Sequence, residues 1–269
     1  MPQSERTLYQ FPISHFCEKT RWNLDAKGLG YDIQNLVPGP HRRVLKRLAK
    51  DSRGSVPVLV DKDVVLVDST DIALHLETAH PSTPSLIPAS GPERERVLEL
   101  EAYYDEAAGK HVRRWMYAKL FEGGADLKRL MFGAFPAPVR LLGGLLIPVV
   151  KALIRRQYNL VPPKVEESRV KMMEGLDRLE REIQGDPARY LVGSSLSIAD
   201  ITAAALYGPL VAAEGSPYAA KPGEAVPKEI AELRAAVLAR PAGQWLLRRY
   251  QEDRRRVAQG FDARPAALG

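Results

Sequence analysis

Three side chains that could donate a hydrogen bond to an anion or act as a nucleophile, Tyr9, Ser14 and Cys17, fall close together near the start of the chain. A hydroxyl can donate to an anion, and a thiol becomes a nucleophile once its proton is lost. Ser14 and Cys17 form S-x-x-C in the loop Pro12-Ile13-Ser14-His15-Phe16-Cys17, just ahead of a helical stretch. A lone thiol in a first helical turn can have a lowered pKa and form a mixed disulfide; buried, it is only a small apolar residue. A second chemical signal is Ser55–Glu77, SVPVLVDKDVVLVDSTDIALHLE. There Asp68-Ser69 opens a helix-period pattern of Ile72, Ala73, Leu76 and Ala79. Either residue can cap that helix, whose free N–H groups and dipole make an anion site.

The elements that must position these groups follow from periodicity. Thr7–Phe11 reads as a strand and Glu18–Lys27 as a helix stopped by Gly28. Tyr31–Leu36 reads as a second strand and Arg42–Lys50 as a short surface helix. Val56–Val60 and Val64–Val67 form a hairpin turning on Asp61-Lys62-Asp63, with Pro57 confined to a strand start or edge. The order β-α-β-α-β-β-α over residues 1–80 implies parallel pairing first and an antiparallel pair later. Pro81–Pro92, rich in proline, reads as a linker over 81–92. Residues 93–269 read as all-helical, including Glu93–Gly109 and Val165–Ile183. Another helix is opened by Ser197 and Asp200, an S-x-x-D pair with Leu196 and Ile201 at the staple positions. Residues 254–269 read as a loose tail.

The totals narrow the function. Hydrophobic content of 45% and charge of 27% describe a globular chain. A single cysteine rules out an internal disulfide and fits a reducing compartment. No basic segment followed by an apolar run opens the chain, so a cytoplasmic protein is expected. No cysteine–histidine cluster has metal-ligand spacing, and no metal is expected. The net charge of +6 is concentrated: residues 113–164 carry 10 basic and 2 acidic side chains. A charge excess confined to one segment argues against general nucleic-acid binding.

The Val-Pro hairpin, the Asp-Ser helix start and the β-α-β-α-β-β-α order resemble the glutathione S-transferase family. So does Leu196-Ser197-Ile198-Ala199-Asp200-Ile201 behind Tyr190-Leu191-Val192-Gly193. The resemblance implies an α/β thioredoxin-like N-terminal domain and an all-α C-terminal domain. It also implies a cis Val56–Pro57 bond, with the valine backbone pairing with the cysteinyl unit of glutathione, while Asp68 and Ser69 hold the γ-glutamyl carboxylate. The functional hydroxyl or thiol of the serine- and cysteine-type branches falls at Ser14. Tyr9 is one residue out of phase with the tyrosine-type branch and is left to packing, since a one-residue slip turns a strand side chain to the other face. Redox relatives read C-x-x-C at this spacing; here Ser14 replaces the first cysteine and Cys17 remains as the alternative nucleophile. Many relatives place a lysine ahead of the Val-Pro strand for the glycyl carboxylate. This chain has Arg53-Gly54-Ser55, so Arg53 or the basic run His41–Lys50 takes that role. His15 is read as a solvated neighbour, and Arg21 and Trp22 as props of the helix against the sheet.

The implied reaction conjugates the co-substrate glutathione to a small apolar electrophile on a homodimer. Lowering a thiol by roughly two units from about 8.5 takes about 2.7 kcal/mol. One charge-assisted hydrogen bond, about 1.5–3 kcal/mol, supplies most of that. The alternatives are glutathione-dependent thiol transfer or deglutathionylation through Cys17, and a non-catalytic transferase-like binding or membrane-associated protein. They bear on an unusual insert at about 121–163. Leu141–Ile154 is apolar apart from Lys151 and is interrupted by Gly143, Gly144 and Pro148. It falls short of the ~20 residues that cross a bilayer. Short helical pieces are expected, forming either a lid over the co-substrate pocket or a basic apolar patch. Such a patch would make weak peripheral contact with an anionic membrane through Lys151, Arg155 and Arg156.

Overall fold

The computed structural model describes residues 5–49, 54–133, 135–220 and 223–254, with the backbone of Arg264–Pro265. Its first half is a mixed sheet of order β4-β3-β1-β2-β5. The central strand β1 (Arg6–Gln10) pairs in parallel with β2 (Asp32–Asn35) and antiparallel with β3 (Val58–Asp61). β3 turns back into β4 (Val64–Leu66), and the two-residue β5 (Arg264–Pro265) adds in parallel to β2. The tail expected to be loose therefore supplies a strand. β3 starts two residues later than its β-branched run suggests, because Pro57 has no N–H for the ladder; the Val56–Pro57 bond is cis.

Three helices accompany the sheet: α1 (His15–Ala26), α2 (His41–Leu48) and α3 (Ser69–Ala79). The register Leu8↔Leu59↔Leu66 sets the C-terminal end of β1, the N-terminal end of β3 and the C-terminal end of β4 side by side. α1 and α3 thus both begin at the edge where the cis-proline sits. Leu24 turns toward the sheet and packs with Leu8, Leu59, Ile72 and Leu76. Trp22, two residues earlier and so on the other side of the helix, packs with Tyr250 at 5.0 Å and the helical half. The expectation that Trp22 props α1 on the sheet is therefore corrected: α1 lies between two cores, and Trp22 belongs to the second.

In the second half, α4 (Pro92–Tyr104) passes through one π-helical stretch, Asp105–Lys110, straight into α5 (His111–Glu122). Gly109 does not end the helix, as its type suggested. A Cβ there would lie 2.5 Å from the Phe16 ring, so glycine permits the close approach of α1. The insert folds as α6 (Leu127–Phe132), α7 (Ala137–Leu145) and α8 (Ile147–Gln157). Gly143 and Gly144 lie inside α7, Gly143 against Phe132, and the break between α7 and α8 falls at Leu146. Then come α9 (Pro162–Glu182), α10 (Ile198–Val211), α11 (Lys228–Leu238) and α12 (Pro241–Arg248), closed by a π-helical stretch, Arg249–Arg254.

All of α10 is buried, so its start must be satisfied internally. Asp200 does this: Oδ2 accepts from the Ser197 N–H at 2.9 Å and the Ser197 hydroxyl at 2.6 Å, and Oδ1 accepts from the Leu191 N–H at 2.8 Å. Burial nevertheless pushes its carboxyl up to about 6. Asp200→Ala leaves two buried N–H groups without a partner and removes the cap. It is expected to cost on the order of 3 kcal/mol in urea unfolding near neutral pH; a loss indistinguishable from zero would remove the capping account.

Candidate functional site

Ser14 is the N-cap of α1. Its oxygen accepts the Cys17 N–H at 3.4 Å, and the half-buried hydroxyl keeps its own proton to give. The loop behind it is tied down by Arg21, which donates to the Pro12 carbonyl at 3.2 Å, to Gln10, and to Glu18 at 2.8 Å. Arg21 thus holds the loop and, through Gln10 at the end of β1, also ties α1 to the sheet as the sequence suggested. Cys17 points inward and has no exposed surface. Burial raises its thiol pKa, outweighing Arg21 and the bond with Ser14. As a candidate redox nucleophile it is enclosed, in surroundings that favour the thiol over the thiolate. Tyr9, beside Leu36, Leu45 and Val58, packs as the strand phase suggests.

His15 is not solvated. It is buried, and its Nε2 donates to the Gly109 carbonyl at 2.8 Å, joining α1 to the π-helical stretch. Burial and the neighbouring Arg113 charge hold its pKa down to about 3, against the pull of that bond. The sequence offered no signal for this, since the partner lies 94 positions away.

The opposite end of the site is the start of α3. Asp68 Oδ1 accepts the N–H groups of Thr70 at 2.8 Å and Asp71 at 3.4 Å, while Ser69 is buried at the first helical position. An ionised Asp68 only accepts, so it cannot itself donate to a ligand carboxylate. Beside it is a group that sequence reasoning missed. Lys19, with no exposed surface, donates to Thr70 Oγ1 at 2.9 Å, Glu101 at 2.5 Å and Asp105 at 2.7 Å. Burial raises the Asp105 carboxyl even against Lys19, and about a third of that side chain stays exposed (34%). Val56 is half-buried and Pro57 buried between these two ends. Arg53 lies outside the described residues. Within the alternative basic run, Arg42 is engaged with Gln157 at 3.0 Å.

The side facing the helical half is aromatic and cationic. Arg113 lies 5.3 Å from the Phe16 ring centroid and 4.4 Å from that of Tyr158, and Tyr158 stacks on Tyr117 at 5.5 Å. Arg113 Nε is buried without a hydrogen-bond partner among the described residues. Tyr158 directly follows α8, so the insert reaches the site mouth through this residue. A separate cavity of ≈ 360 Å³, lined by Gln10, Pro12, Glu18, Tyr250 and Arg254, takes in none of Ser14, Val56, Asp68 or Ser69 and lies outside the site.

Away from this cleft, Asp61 Oδ2 accepts from His80 at 2.8 Å and His75 at 3.0 Å. Their ligand atoms lie within 4.8 Å of one another, close enough to share a cation, a grouping that cysteine–histidine spacing does not reveal. Arg6, 3.1 Å from Asp61 Oδ1, already supplies a positive charge there. Burial pushes Asp61 up, but the two histidine bonds and Arg6 outweigh it and hold the carboxyl below its usual range.

A family model for the glutathione S-transferase N-terminal domain matches residues 8–84, and one for the C-terminal domain matches 162–236. Together they cover more than half of the chain. Over 81 residues the chain is 36% identical to "Glutathione S-transferase 1" of Dianthus caryophyllus. The aligned stretch is 29% of this chain and spans 36% of the length of that relative. The solved beta-etherase LigF from Sphingobium sp. strain SYK-6 superposes with a TM-score of 0.59 at 23% identity, over 91% of this chain and 99% of its own. A glutathione transferase of Phanerochaete chrysosporium, solved with oxidized glutathione, gives 0.56 at 15% identity over 96% and 98%. At these identities the two structures share the fold.

The buried neutral His15 predicts a pH dependence. Its folded pKa lies below its unfolded value of 6.5, so its contribution is complete above 6.5 and is lost as pH falls from 6.5 toward 3. The slope is at most about 1.4 kcal/mol per pH unit. His15→Gln, which keeps a donor for Gly109, is expected to flatten the urea-measured stability profile in that window. Parallel profiles would contradict the assignment.

Proposed function

Since the chain belongs to the glutathione S-transferase family, we propose that it transfers the thiolate of glutathione to an electrophilic, apolar small molecule. The observation that carries this reading is a half-buried N-cap hydroxyl, Ser14, at the same sheet edge as the cis Val56–Pro57 bond and the start of α3. Ser14 gives its proton as a hydrogen bond to the sulfur. Arg21 fixes its loop, and the α1 N-terminus adds about 0.3–1 kcal/mol of preference for the anion. The Val56 backbone pairs with the cysteinyl unit. The γ-glutamyl carboxylate meets the Ser69 hydroxyl and backbone N–H at the start of α3, since Asp68 already takes the N–H groups of Thr70, Asp71 and Ile72, and its ammonium meets Asp68 and the partly exposed Asp105. Arg53 takes the glycyl carboxylate.

Phe16, Tyr117 and Tyr158 form the co-substrate wall, a surface suited to an aryl or other flat apolar group. Arg113, with an unsatisfied Nε between two of those rings, meets an oxygen or developing negative charge on that substrate. The enclosed Cys17 thiol weighs against thiol transfer through this residue. The proposal extends to a homodimer in the cytoplasm, to be checked by sedimentation and by locating the tagged chain in cells.

Three substitutions separate the roles. Ser14→Ala is expected to cut conjugation at about pH 6.5 by about tenfold or more, a barrier change near 1.4 kcal/mol, while Cys17→Ser is nearly silent. The reverse ranking would move the chemistry to the thiol. Ser69→Ala is expected to raise the KM for glutathione several-fold with a smaller change in turnover, because its contact is far from the sulfur and equal in ground and transition states. Unchanged glutathione binding by calorimetry would remove Ser69 from the site.

A further inference from the structure

The insert leaves an apolar face uncovered. Six of the eleven exposed large hydrophobics among the described residues are Leu141, Leu142, Leu145, Leu146, Val149 and Leu153, at 47–73% exposure. All lie on α7 and α8 or at the break between them, two helices bent by 65° that no other element among the described residues covers on this side. Val149 and Leu153, four positions apart, continue along α8 the face that Leu145 begins on α7. Contiguous apolar surface of this kind marks an interaction site. It also falls in the stretch between residues 84 and 162 that neither family model matches.

Charge identifies the occupant. Residues 127–165 contain no aspartate or glutamate, but seven basic residues: Lys128, Arg129, Arg140, Lys151, Arg155, Arg156 and Lys164. Arg140 and Arg156 are exposed and Arg156 flanks the Val149–Leu153 face of α8, whereas Arg155, also exposed, lies on the Lys151 side with its guanidinium 5.9 Å from the Phe121 ring centroid. Lys151, expected from sequence to reach outward, is instead tied to the Phe121 carbonyl at 3.0 Å and pins α8 onto α5. Among the described residues no single helix is long and apolar enough to cross a bilayer. An amphipathic pair with leucines on one side and arginines at its rim suits the plane of a membrane surface. A second copy of the chain offering the same face would set arginines against arginines.

We propose that α7 and α8 dock the protein onto an anionic lipid bilayer. Leu141, Leu142, Leu145, Leu146, Val149 and Leu153 enter the headgroup boundary, Arg140 and Arg156 meet the lipid phosphates, and the exposed Arg155 adds positive charge close behind them. The contact is weak and salt-sensitive, since so few cations and so little apolar area do not anchor a chain permanently. The inference stands apart from the transfer reaction.

The test is co-sedimentation of the full chain with vesicles of phosphatidylcholine alone, or mixed with phosphatidylglycerol, at low and high salt. Binding is expected to the anionic vesicles at low salt, with release by salt and little retention on neutral ones. Two exposed-face variants, Leu145→Glu with Val149→Glu, and Arg155→Gln with Arg156→Gln, are each expected to lower the bound fraction about tenfold or more. Both should keep the parent circular dichroism spectrum and glutathione binding. No vesicle binding, binding that ignores lipid charge and salt, or variants that bind like the parent would each overturn the proposal. So would self-association abolished by Leu145→Glu with Val149→Glu in the absence of lipid binding, which assigns the face to a second copy.

Discussion

The molecule is organised around a helix whose charged groups have been taken out of water. Ten of the twelve residues of α1 are buried, and they include Glu18, Lys19, Arg21 and Asp25. Such charges are tolerable inside a protein only when paired, and removing one partner typically costs about 3–5 kcal/mol. The partners of α1 come from both halves: Thr70 on α3, Glu101 on α4 and Asp105 in the π-helical stretch for Lys19, and Arg254 near the C-terminus for Glu18 and Asp25. Burial pushes Glu18 up, but Arg254 and Arg21 outweigh it and keep the carboxylate ionised. The pairs of Lys19 with Glu101 and Asp105, and of Glu18 and Asp25 with Arg254, also lock the helical half onto the sheet, while Glu18–Arg21 stays within α1.

That constraint reaches the proposed chemistry because Ser14 caps this same helix. The N-cap hydroxyl takes its position from Arg21 on the loop and from His15, whose ring is clamped to Gly109 in the second half. The π-helical stretch is part of the device. It carries Asp105 to Lys19 and presents the Gly109 carbonyl to His15, while glycine leaves room for Phe16. The loop that carries Ser14, the proposed sulfur site, is thereby set against Phe16, Tyr117, Tyr158 and Arg113, of which Tyr158 belongs to the insert and directly follows α8.

The sheet and its helices were legible in the sequence because period-two and helix-period patterns are local, and the Ser197–Asp200 cap was legible because both partners sit within one turn. Ser14 could be placed by its position ahead of α1, whereas the enclosure of Cys17 depended on elements far along the chain. The role of Trp22 was misread because composition does not say which side of a two-sided helix each core occupies. His15, Lys19 and Arg254 escaped notice for a related reason: their partners are 94, 82 and 236 positions distant. The Asp61, His75 and His80 grouping joins a strand end to two points at and beyond the far end of α3. Gly109 and Gly143 looked like helix breakers, yet both are close-contact residues within helical segments.

The central claim is that α1, through Ser14, holds the sulfur of glutathione as a thiolate, and it is tested most directly by titrating the bound thiol. Thiolate absorbance of glutathione would be followed against pH in the Cys17→Ser protein, which has no thiol of its own. The account predicts a bound thiol titrating roughly two units below the free value of about 8.5. It also predicts a return toward that value when Ser14→Ala is added. A bound thiol that titrates like free glutathione while Ser14 is present would contradict it.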